Sequence, residues 1–92
     1  MNQSPKFPLG QLVTTPGVME TVNPEDALEC LARHAAGDWD ELPAEDRREN
    51  EIALEVGGLR IWSTYRDRNQ VRFWIITEAD RSATTLTLPS EY

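Results

Sequence analysis

Cys30 and His34 stand four residues apart in the stretch "ECLARHAAG". On a helix that spacing places both side chains on one face, and a thiol beside an imidazole is the pairing that generates a thiolate nucleophile. Both residues sit beside an apolar stripe, however, and a histidine in the last turn of a helix commonly binds the free carbonyls there. No oxyanion-hole motif and no third, orienting residue accompanies them. Ser82 in "DRSATT" likewise lacks an identifiable base, and Gly57-Gly58 is an isolated pair that reads as a helix stop rather than a phosphate loop. The expectation is a protein without catalytic residues or cofactor.

Metal chemistry fares no better. His34, Asp38 and the neighbouring carboxylates match no ligand spacing for zinc or other transition metals, and with Cys30 the only cysteine no thiolate cage or internal disulfide can form. The run "DWDELPAEDRRE" offers acids at the first, third and twelfth positions of a Ca²⁺ loop. Leu42 then occupies the fifth position and Pro43 the place of the required glycine, which rules that loop out.

What remains of this run is its charge. Residues 38–51, "DWDELPAEDRRENE", hold seven carboxylates and two arginines. From Glu20 to Glu55 there are twelve acids against three bases, a balance of −9, while the rest of the chain has four acids against six bases, or +2. The overall −7 disfavours direct binding to nucleic acid or to an anionic membrane, since both require Lys and Arg to displace counterions. A second patch has the opposite character: Trp62 and Trp74, with Arg60, Arg66 and Arg72, can form an aromatic and basic face able to stack bases. Cross-strand packing explains that pairing equally well.

These groups are positioned by a short series of elements. "GQLVTT" reads as a strand, and Thr15-Pro16 and Asn23-Pro24 each read as a cap followed by proline at the first helical position. The second of these helices runs to about Ala36, with Ala27, Leu28, Leu31 and Ala35 as its apolar stripe and Gly37 as its stop. A third helix starts at Pro43 and ends at Gly57-Gly58, its first half anchored by Trp39 or Leu42. From Leu59 the period changes to two, giving strands in "LRIWSTYR", "VRFWIITE" and "TTLTLP" separated by "DRNQ" and "EADRSA". The order β-α-α-α-β-β-β predicts an α+β domain with helices on one face of a small antiparallel sheet. Leu59, Ile61, Phe73, Ile75, Leu86 and Leu88 are expected to meet Leu28, Leu31, Ile52 and Val56. Residues 1–92 are expected to form one domain, with 1–9 a loose segment; the absence of an apolar run of ~20 residues or a signal-like start predicts a cytoplasmic protein without membrane contact, and a monomer is the expectation.

At "LGQLVTTPG", "LARHAAGDW" and "WIITEADRSATT", about a third of the chain, the sequence resembles a family of small plasmid- and phage-borne proteins, mostly called plasmid-related or hypothetical. The last motif is the most specific. The family has no assigned catalytic residues, so nothing catalytic transfers to His34, Asp80 or Arg81. The resemblance implies a mobile-element setting, in which small acidic proteins disable host defence, among them anti-CRISPR and antirestriction proteins. In that setting Glu25, Asp26, Glu29, Asp38, Asp40, Glu41, Glu45, Asp46 and Glu49 are the candidate partner-binding residues. They would act as a DNA mimic against the basic DNA-binding groove of a defence complex, most plausibly a CRISPR effector subunit. The alternative is an accessory or antitoxin-like protein that binds through its Trp and Arg sheet face.

Overall fold

The computed structural model describes residues 4–39 and 41–92. Along the chain lie β1 (Gln11–Thr14), α1 (Pro16–Thr21), α2 (Pro24–Ala35), α3 (Ala44–Val56), β2 (Ile61–Arg66), β3 (Arg72–Thr77) and β4 (Ala83–Thr87), followed by a 3₁₀ turn, Pro89–Glu91. The caps read from the sequence are in place. The Thr15 hydroxyl accepts from the Val18 amide, the Asn23 side chain accepts from the Asp26 amide at 3.1 Å, and Gly57 leaves α3 with a φ of +73°. Glu25 and Asp26 fill the first turn of α2, where the helix dipole favours them.

β2, β3 and β4 form the antiparallel meander, with Tyr65 opposite Phe73 and Ile75 opposite both Ser63 and Leu86. β1 joins β4 in parallel, so the sheet order is β1-β4-β3-β2. The expected antiparallel sheet is therefore mixed. Sequence alternation alone does not choose the edge or direction of a four-residue strand. Gly10 helps to decide it: with a φ of +67°, a Cβ there would collide with the Ser82 backbone.

Two apolar clusters hold the helices to one sheet face. Val18, Val22, Cys30, Leu31, Tyr65, Phe73, Ile75 and Leu86 form the first, and Phe7, Trp39, Leu42, Ala53 and Ile61 the second, with Leu9 packed against both. Trp39 is the expected anchor of the acidic run, buried with its indole N–H donating to the His34 carbonyl at 3.1 Å. Of the segment expected to be loose, residues 4–9 are described, and Phe7 is buried with its ring edge-on to His34.

Four residues assigned to the core face solvent instead: Leu28 is 68 % exposed, Ile52 45 %, Val56 66 % and Leu59 48 %. On α2 the inward face belongs to Cys30, Leu31, His34 and Ala35, which leaves Leu28 outside, and α3 lies against β2 through Asn50 and Ala53, both nearly inaccessible, which leaves Ile52 and Val56 outside. The Asn50 side chain donates to the Trp62 carbonyl at 2.7 Å and accepts from the Trp62 amide at 3.3 Å. At Trp62 it thus supplies the bonds that another strand would make, blocking that point of the β2 edge.

Candidate functional site

His34 is 0 % exposed and reaches two neighbouring strands, β2 through Ser63 and β3 through Thr77. Its Nδ1 is 2.5 Å from the Ser63 hydroxyl and its Nε2 2.9 Å from the Thr77 hydroxyl; Thr77 is 2.7 Å from Thr84, which donates to the Leu9 carbonyl at 2.7 Å. A hydroxyl has one proton, so the order of donors is fixed from its far end. Thr84 donates to Leu9, Thr77 to Thr84, Nε2–H to Thr77, and Ser63 to the bare Nδ1. The imidazole is neutral, and burial holds its pKa down to about 3.

This arrangement leaves His34 no free ring nitrogen to offer Cys30. Both ring nitrogens of His34 are occupied by hydroxyls, and burial pushes the Cys30 thiol up to about 11, so it is protonated at neutral pH. Among the described residues no three His, Cys, Asp or Glu side chains converge as a metal site, and no helix is long and apolar enough to cross a membrane.

Of the eight described acids among the nine nominated, four are paired with the chain's own arginines. Asp26 accepts from the Arg68 backbone amide and guanidinium, which hold its carboxyl below the usual range, and Glu25 pairs with the same arginine. Asp38 pairs with Arg33 at 2.9 Å, and Glu41 lies 3.4 Å from Arg66 and 3.6 Å from Arg72. Asp40 lies outside the described residues. Glu29 on α2 and Glu45, Asp46 and Glu49 on α3 have no ion pair among the described residues. The −9 and +2 halves are therefore partly stitched together by their own side chains. Each such exposed pair adds at most about 1 kcal/mol, but together they spend charge that a mimic would present.

The opposite sheet face brings together the other nominated group. Trp62 and Trp74 meet edge to face at 5.5 Å, Trp74 meets Tyr92 at 5.7 Å, and the Arg60 guanidinium lies over the Tyr92 ring and donates to its hydroxyl at 2.6 Å. With Ile76 these side chains line a mostly apolar pocket of about 240 Å³. Arg72 sits beside them and donates to Thr64 at 2.7 Å. Tyr92 was not foreseen. Its residue type and position give no periodic signal, and only the turn at Pro89–Glu91 carries it onto this face. That turn is fixed by Glu91, whose carboxylate accepts from the Thr15 hydroxyl at 2.6 Å and the Gly17 amide at 2.9 Å.

The motif "WIITEADRSATT" proves to be a structural clasp. Arg81, at a left-handed φ of 61°, donates to the carbonyls of Leu59, Glu78, Ala79 and Ala53, and its guanidinium lies over the Phe7 ring. Asp80 accepts from the Ser82 amide in the same turn. The fold and this surface define an α+β domain with an aromatic patch on the sheet face away from its helices. No family model, curated protein or solved structure matches the chain.

Proposed function

We propose that the chain is a non-enzymatic interaction protein whose binding surface is the sheet face around Trp62, Trp74 and Tyr92. One observation carries this reading: a concave, aromatic-lined pocket open to solvent, with an arginine at its rim. Large aromatic side chains and Arg are the residue types that dominate protein interfaces, because they bury much area at little entropic cost. The −7 charge makes a protein segment the better occupant than a nucleic acid. The resemblance to plasmid and phage proteins supports a mobile-element setting, with a host defence complex as the partner.

A second reading keeps the acidic face, reduced to α3. Glu45, Asp46 and Glu49, with Glu51 and Glu55 on the same helix, present carboxylates with no ion pair among the described residues, which suit a basic DNA-binding groove. The two readings predict different NMR responses to a purified host partner. The sheet reading moves the indole N–H signals of Trp62 and Trp74 while that of Trp39, bonded to the His34 carbonyl, stays in place. Shifts confined to the amides of α3 would support the acidic reading.

A further inference from the structure

The two edges of the sheet are treated differently. The outer edge of β2 is occupied at Trp62 by Asn50, whereas β1 at the other end has four residues that are all exposed. Gln11 donates to the Ser82 carbonyl and Thr15 to that of Leu86, so by alternation Gln11, Val13 and Thr15 face β4 while Leu12 and Thr14 turn their N–H and C=O outward. β1 carries none of the Lys, Pro or bulge devices that usually protect an edge.

The surroundings point to the kind of strand that fits. Residues 7–19 form the longest stretch of the chain without an ionisable side chain, thirteen residues in a molecule of net charge −7. A second copy approaching there meets no ionisable side chain of the strand itself, unlike on α3, and the carboxylate bonded to this stretch, that of Glu91, is engaged by the Thr15 hydroxyl and Gly17 amide. Leu12, Val13, Met19 and Leu28, four of the large apolar side chains left exposed, lie in or beside this edge. An apolar hollow of about 300 Å³ opens next to it, lined by Leu12, Thr14, Val18, Leu28 and Leu86 among others.

We propose that β1 pairs antiparallel with β1 of a second copy, Val13 facing the partner's Val13 across a two-fold axis, to join two four-stranded sheets into one of eight strands. This register lets Leu12 and the partner's Thr14 exchange both backbone bonds, and Thr14 and the partner's Leu12 do the same. A shift by two residues one way sets Leu12 against Pro16, which has no N–H; the other way sets Thr14 against Gly10, whose φ of +67° departs from a strand. The partner's Leu12 then lies over the apolar hollow. The sequence expectation of a monomer is replaced by a symmetric, self-complementary dimer.

The register gives the test. Two non-hydrogen-bonded residues directly opposite have Cβ atoms about 4.5–5.5 Å apart, close to disulfide reach, so Val13→Cys forms a covalent dimer under mild oxidation. Leu12→Cys, which faces Thr14 of the partner, does not, and buried Cys30 does not interfere. In sedimentation over a concentration series reaching several-fold above a dissociation constant on the order of 100 μM, which corresponds to about −5.5 kcal/mol, the weight-average mass of the wild type rises from the monomer's toward twice that value. Val13→Lys is monomeric there with an unchanged circular dichroism spectrum. A monomeric wild type at that concentration overturns the pairing and gives the edge to a strand of another protein. Equal cross-linking at positions 12 and 13 overturns the register.

Discussion

Acidification should destabilise the fold through a single residue over a defined pH window. His34 is the only histidine, and its folded pKa of about 3 lies well below the ordinary 6.5. The unfolded chain therefore takes up a proton below pH 6.5 that the folded chain refuses. The stability that neutral His34 contributes is complete above 6.5 and is lost as pH falls from 6.5 toward 3. Between pH 7.5 and 5 the loss comes to about 2 kcal/mol, from ~1.4 kcal/mol per pKa unit. That is a substantial part of the 5–15 kcal/mol typical of a small domain. Asp26, Asp67, Asp80 and Glu91, all held below their ordinary values by hydrogen bonds, add a loss of the same sign, but mainly below about pH 4.5. Urea unfolding followed by tryptophan fluorescence at a series of pH values measures the slope. His34→Gln, which has no titrating ring, should be nearly flat from pH 7.5 to 5, whatever its absolute stability. A wild type equally flat over that range, or an imidazole signal titrating near 6.5 in the folded protein, would refute the buried neutral relay.

Asn50→Ala removes both side-chain bonds to the Trp62 backbone and leaves a nearly inaccessible site unfilled, so urea unfolding should register a loss of about 1–3 kcal/mol. The same variant opens the β2 edge and should aggregate faster on light scattering. Cys30 should react with a thiol reagent at pH 8 at least tenfold more slowly than in the urea-unfolded chain, because its thiol is buried and its pKa is about 11. Reversing Glu45, Asp46 and Glu49 to Lys should cost about 1–2 kcal/mol on urea unfolding, since Glu45 and Asp46 lie in the first turn of α3, where the helix dipole favours acids and opposes Lys.

The α+β architecture was legible because its signals are local. Proline after a capping Thr or Asn starts α1 and α2, glycine ends α3, and alternation marks β2, β3 and β4. Readings that depended on which side of a helix faces inward were less secure. Leu28, Ile52 and Val56 obey helical spacing, yet the inward faces belong to Cys30, Leu31, His34 and Ala35 on α2 and to Asn50 and Ala53 on α3. His34 and Asn50 are buried because hydroxyl and backbone partners arrive from strands 12 to 43 residues away, and local pattern contains no such information. The pairing of part of the acidic set was hidden for a related reason. Arg68, Arg66 and Arg72 lie outside the acidic window in sequence but beside Asp26 and Glu41 in space. The aromatic face was legible in Trp62 and Trp74, whose positions on adjacent strands follow from alternation, but not in Tyr92.

The sheet face is tested most directly by capture of a host partner on immobilised protein, with wild type compared against Trp74→Ala at rising salt. Trp74 is partly exposed and lines the pocket, so its truncation is expected to spare the fold, which a thermal melt verifies. The account predicts that Trp74→Ala loses at least tenfold of the captured partner, while the Glu45, Asp46 and Glu49 reversal keeps it with unchanged salt dependence. Full retention by Trp74→Ala, with loss on reversing the α3 acids, would contradict it.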